Sequence, residues 1–145
     1  MVEKFLEYFK TIGMTEPILQ RVTILYGYFK LLLPDEDFVD VRVDEYVQDD
    51  GSRVYENICF YSKEFSVGVL DFMTSNKIII SGLEKDIVYA SVEARDYDFK
   101  KATERSRLHI DLAYTDTRSN WRTSKENCDH LMEIYRKYVI PRIRR

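Results

Sequence analysis

Apolar residues recur along the first third of the chain at helical spacing. Val2, Phe5, Leu6, Phe9 and Ile12 fall on one face of a helix with 3.6 residues per turn. Gly13 follows, where a left-handed cap costs least. Thr15 reads as an N-cap, with Glu16 and Pro17 in the first turn of a second helix. That helix has a broad apolar face of Ile18, Leu19, Val22, Leu25, Tyr26, Phe29, Leu32 and Leu33, and Pro34 stops it.

Beyond Pro34 the period changes to 2. Val39, Val41, Val43 and Val47 alternate with Asp40, Arg42, Asp44 and Tyr46, which predicts a strand with one dry and one wet face. Asp49-Asp50-Gly51-Ser52 is turn chemistry. The return strand sets Val54, Glu56, Ile58 and Phe60 against Tyr55, Asn57, Cys59 and Tyr61. Short polar turns then separate four more strand patterns, over 65–72, 77–81, 87–97 and 107–115. Residues 116–122 read as a loop, and Thr123-Ser124-Lys125-Glu126 as a capping box. Cys128, Leu131, Met132, Tyr135, Tyr138 and Val139 then mark the buried face of a long helix that frays at Pro141. The expected fold is a single α+β domain over 1–145. It has two N-terminal helices, a curved six-stranded antiparallel meander, and a long C-terminal helix packed on the sheet.

Composition narrows the class without naming a function. The 145 residues are 45% hydrophobic, 32% charged and 14% aromatic, which fits one ordinary globular domain and excludes a disordered or collagen-like chain. No run of about 20 apolar residues predicts a membrane span, and the first residues lack a secretory pattern. Cys59 and Cys128 read as small apolar fillers in a reducing cytosol, so the expected location is cytoplasmic. The net charge of −3 is unevenly spread. Residues 1–94 hold 9 Lys/Arg against 17 Asp/Glu, while residues 95–145 hold 13 against 8. Such asymmetry either marks a partner surface or is neutralised within the fold, and the second is the expectation.

Motifs for chemistry are sparse. The five glycines are isolated, so no phosphate-binding loop or dinucleotide fingerprint exists, and no Gly-x-Ser-x-Gly elbow occurs. Cys128 and His130, two apart on a helix, point about 200° apart. Cys59 can meet His109 only if their strands are neighbours. Asp35, Asp37 and Asp40 lack the Gly and bidentate Glu of a calcium loop, and Asp40, Arg42 and Asp44 read as a salt-bridged exposed edge. No metal or cofactor is expected. Lys100, Lys101, Arg105 and Arg107 cluster where two strands connect, Arg118 and Arg122 lie around Trp121, and Arg136, Lys137, Arg142, Arg144 and Arg145 finish the chain. This basic set admits nucleic acid or another anionic surface as a partner, although the pI of about 5.5 argues against it.

The order of elements resembles two plans. A bent antiparallel sheet closed by a C-terminal helix is similar to pleckstrin-homology-like binding modules, which usually have seven strands. A sheet wrapped around a long terminal helix resembles the helix-grip plan, whose cavity holds apolar ligands. The first implies a non-enzymatic module that binds a protein partner or itself, through an exposed patch of Tyr55, Cys59 and Tyr61 with Trp121 and Arg122. The second implies a pocket between sheet and helix lined by Tyr89, Tyr114, Met132 and Tyr135.

Overall fold

A computed structural model describes residues 2–84, 86–94, 107–114, 117–124 and 126–143. A 3-10 turn at Val2–Phe5 runs into α1 (Leu6–Thr11), and α2 spans Glu16–Leu32. Gly13 takes φ +80° between them, so the expected left-handed cap is present. Seven strands follow among the described residues: β1 (Asp40–Val47), β2 (Arg53–Tyr61), β3 (Phe65–Val69), β4 (Ile78–Gly82), β5 (Ile87–Ala94), β6 (Arg107–Tyr114) and β7 (Arg118–Ser124). The chain then forms α3 (Asn127–Tyr138) and a 3-10 turn, Ile140–Arg142, that contains Pro141.

The α+β class holds, but the single six-stranded sheet does not. The strands form two antiparallel sheets, β1-β2-β3-β4 and β5-β6-β7. The seventh strand comes from the stretch expected to be loop. Trp121, Thr123 and Ser124 are buried on β7 while Arg118, Asn120 and Arg122 are exposed, an alternation that the polar composition of 116–122 conceals. The expected capping box is also replaced. Thr123 and Ser124 belong to β7, and their hydroxyls donate to Glu45 rather than to the start of α3.

Two apolar cores lie on opposite sides of β1 and β2. The first packs α1 and α2 against Val41, Val43, Ile58, Phe60, Val67 and Val69. Phe60 is its centre, with the rings of Phe5, Tyr26, Phe29, Phe38 and Phe9 at centroid distances of 5.2, 5.2, 5.8, 6.1 and 6.4 Å. The second packs Cys59 and Tyr61 with Ile87, Ile110, Leu112 and Trp121 of the smaller sheet and with Leu131 and Ile134 of α3. The face of β1 expected to be wet is therefore dry. Arg42 and Asp44 are 7% and 1% exposed because the second layer covers them, which overturns the reading of this edge as a solvated salt bridge.

Alternation along β2 serves both cores, and a bulge decides which of them Tyr55 joins. Asp44 pairs with Asn57 and Glu45 with Tyr55, leaving Glu56 as the extra residue. Tyr55 is thereby turned to the same side as Ile58 and Phe60. Nor is the free edge of β1 open to solvent, because α3 caps it. The Asn127 side chain donates to the Val43 carbonyl at 2.9 Å, and His130 Nε2 lies 2.6 Å from the Val41 carbonyl.

Candidate functional site

Residues directly opposite on neighbouring strands point to the same face, so the register specifies the floor of a cavity. Arg42 stands opposite Cys59, Cys59 opposite Gly68, and Gly68 opposite Ile79, one row across all four strands. The next row runs Asp40, Tyr61, Ser66 and Ser81. Trp121 and Ser119 of β7, Tyr114 at the end of β6 and Tyr138 at the end of α3 form the opposing wall. The slot measures about 350 Å³.

The slot has a blind end and a mouth. Arg42, Cys59, Tyr61 and Trp121 are buried at the β1 end, whereas Ile79 and Leu70 at the β4 end are 41% and 55% exposed. Three interstrand steps separate β1 from β4, a length of about 14 Å. Gly68 keeps the middle of the floor bare. A Cβ there would lie 2.3 Å from the Ile58 carbonyl oxygen, so no other residue fits this close approach of β3 to β2.

Charge in the slot is one-sided. Arg42, Arg118 and Arg142 line it, and among the described residues no carboxylate does. The Arg42 guanidinium lies 4.1 Å from the Trp121 ring centroid. Its Nη1 sits 3.3 Å from Asp44 Oδ2, yet neither Nε nor Nη1 makes a hydrogen bond, and Asp44 Oδ1 is equally unpartnered. Those two nitrogens carry three of the five guanidinium donors. Asn57 donates to Asp44 Oδ2 at 2.9 Å. Burial pushes the Asp44 carboxyl up to about 6, against the opposing pull of Arg42. Burial is the largest effect on Arg42 and works against its charge, but Asp44, Tyr61 and Cys59 together hold the pKa above the ordinary arginine value.

The neighbouring thiol and phenols stay protonated at neutral pH. Desolvation raises Cys59, with Arg42 opposing, and raises Tyr61 well above its ordinary value. Tyr61 stacks on Tyr138 at 4.2 Å, and the Tyr138 hydroxyl donates to Asp40. A thiol that burial holds protonated, despite the Arg42 cation beside it, is a poor nucleophile. His109 cannot activate it, since His109 sits on β6 of the other sheet, opposite Glu93 and Arg122 and 3.6 Å from Asp111. His130 is also committed, stacked on Tyr8 at 3.8 Å. Among the described residues, no three His, Cys, Asp or Glu side chains gather where a metal could be held.

The candidate residues are redistributed. Tyr55, Cys59 and Tyr61 are 8%, 9% and 3% exposed, so they form no surface patch. Tyr55 belongs to the first core and donates to the Ile12 carbonyl at 2.7 Å. Cys59, Tyr61 and Trp121 line the slot instead. Arg122 lies on the other face of β7, exposed, paired with Glu56 and stacked 4.0 Å from the Tyr46 ring centroid. Of the expected pocket residues Tyr114 lines the slot, Tyr135 and Met132 pack in the second core, and Tyr89 is 57% exposed. Lys100, Lys101, Arg105, Arg144 and Arg145 lie outside the described residues, as does the side chain of Arg107. Lys137 is paired with Asp40 at 2.7 Å.

Arg42 and Gly68 were not among the expected site residues. The available signal was a charge alternating with valines beside a tyrosine-rich partner strand, a pattern that also describes a solvated face. Comparison with protein-family models, with curated proteins and with solved structures found no match to the chain.

Proposed function

We propose that the protein is a binding domain that houses a small organic molecule in the slot between its two sheets. The observation that carries this reading is an open-mouthed cavity of about 350 Å³ with a buried arginine at its blind end and largely apolar and aromatic walls. Such convergence of apolar walls with a few placed polar groups is the usual anatomy of a ligand site. Seven strands divided four and three, with a helix after them, support the pleckstrin-homology-like plan over the helix-grip one. Two buried cysteines outside any disulfide support a reducing, cytoplasmic setting. The test is a thermal-shift screen of metabolites and fragments, followed through Trp121, the single tryptophan. Hits should raise the melting temperature and change its emission; a uniformly flat screen overturns the reading.

A second reading, self-association, rests on α2. Ile24, Tyr28, Leu31 and Leu32 are 56%, 55%, 77% and 52% exposed along one face. Gln20, Thr23 and Gly27 extend that face, and Arg21, which lies on it between Tyr28 and Leu32, is tied to the Phe72 and Ser75 carbonyls. A mainly apolar stripe of this kind meets itself across a two-fold axis with little repulsion, which favours a second copy of this chain as the occupant. Sedimentation should then give a dimer that Leu31→Glu converts to a monomer. A wild-type monomer at 100 μM or above rules it out, a concentration on the order of a weak association constant.

A further inference from the structure

We infer that the slot takes an amphipathic monocarboxylate, its carboxylate against Arg42 and its apolar chain directed along the floor toward Ile79. The inference rests on the ligand-binding reading and gives its ligand a charge, a shape and a direction.

The charge follows from the lining. Three arginines line the slot and no carboxylate does among the described residues, which favours an anion over a cation. Asp44 lies 3.3 Å from Arg42 Nη1 and does not line the slot, and Nε and Nη1 are themselves closed off from it, so Arg42 meets the slot through its other atoms. A planar carboxylate matches a guanidinium in-plane, and the Trp121 ring fixes that plane from one face. A buried cation surrounded by apolar walls is costly, which makes an anion favourable at this end.

The shape follows from the register. Beyond Arg42 the row offers Cys59, then the bare backbone of Gly68, then Ile79 at the opening. No side chain obstructs the middle of a channel about 14 Å long. That space suits an extended chain or a flat ring. The polar head goes inward because the buried charge is at the closed end, while the exposed Ile79 and Leu70 offer apolar contact at the mouth.

Octanoate and octan-1-ol share a chain and differ in charge, which makes them the test pair. Titrations of the wild-type chain, read by calorimetry and Trp121 emission, should show saturable octanoate binding at least tenfold tighter than octanol. Removing Arg42 alone strands a buried Asp44, so the variant is the neutral pair Arg42→Met with Asp44→Asn. Its octanoate affinity should fall at least tenfold, to the level of octanol. Equal binding of acid and alcohol overturns the carboxylate assignment and leaves the ligand-binding reading intact. Octanoate affinity undiminished in a folded double variant overturns the placement of the head at Arg42. Hits in the wider screen that are all neutral or cationic overturn the inference alone; no binding of any compound overturns the reading beneath it.

Discussion

Glu45 and Ser124, far apart in sequence, are joined twice. Ser124 donates its backbone N–H to Glu45 Oε1 at 2.8 Å and its hydroxyl to Oε2 at 2.7 Å. Thr123 Oγ1 adds 2.9 Å to Oε1, and Arg53 Nε lies 3.2 Å from Oε2. The carboxylate is fully buried and pins the β7–α3 junction to the larger sheet. Glu45→Ala strands these donors and leaves Arg53 with Glu126 as its remaining carboxylate partner. It should cost about 3–5 kcal/mol in urea denaturation, against about 1–2 for Ser124→Ala. Equal, small effects of both would show that the junction is held elsewhere.

Asp44 gives stability a pH signature. Its folded carboxyl titrates at about 6, above the ordinary value of 3.8. Between those values the folded chain holds a proton that the unfolded chain has released. The contribution is fully present below 3.8 and is lost as pH rises through 6. Asp44→Asn lacks this titration, so it should gain on wild type between pH 4 and 7, by at most about 3 kcal/mol. Denaturation of both proteins at several pH values reads it; a constant difference contradicts it.

Two glycines should respond to alanine with opposite signs. Gly68→Ala drives a Cβ into the Ile58 backbone and should destabilise by about 2–4 kcal/mol. Gly27, exposed within α2, leaves open space out to 4 Å around the point where a methyl would sit. Gly27→Ala should stabilise by about 0.5–1 kcal/mol through helix propensity. Thermal melts of the pair decide both.

Phe60 anchors the first core by ring contacts on several sides. Phe60→Ala should cost about 3–5 kcal/mol, and Phe60→Leu distinctly less because it refills part of the volume. Comparable losses for the two would mean that ring geometry, not cavity size, dominates.

The helices were legible in the sequence because helical periodicity, Gly13 and Pro34 all agreed. The strands from β1 to β6 were legible as strands, but not their grouping. Arg42, Asp44 and Glu45 look like solvent residues, and only a covering layer distant in sequence makes them buried. β7 was hidden for a related reason: Ser119, Thr123 and Ser124 are polar residues on an inward face, satisfied by partners that local spacing does not reveal. The bulge at Glu56 shifted Tyr55 out of phase with Cys59 and Tyr61, which no count by twos anticipates.

Because Phe60 and Cys59 are adjacent yet belong to different cores, the second strand is a partition one backbone thick. Whatever occupies the slot must communicate with the helical side through that single layer of main chain. Reporters on neighbouring residues of this strand would therefore sense two separate compartments, and their agreement or disagreement would measure how stiff the partition is.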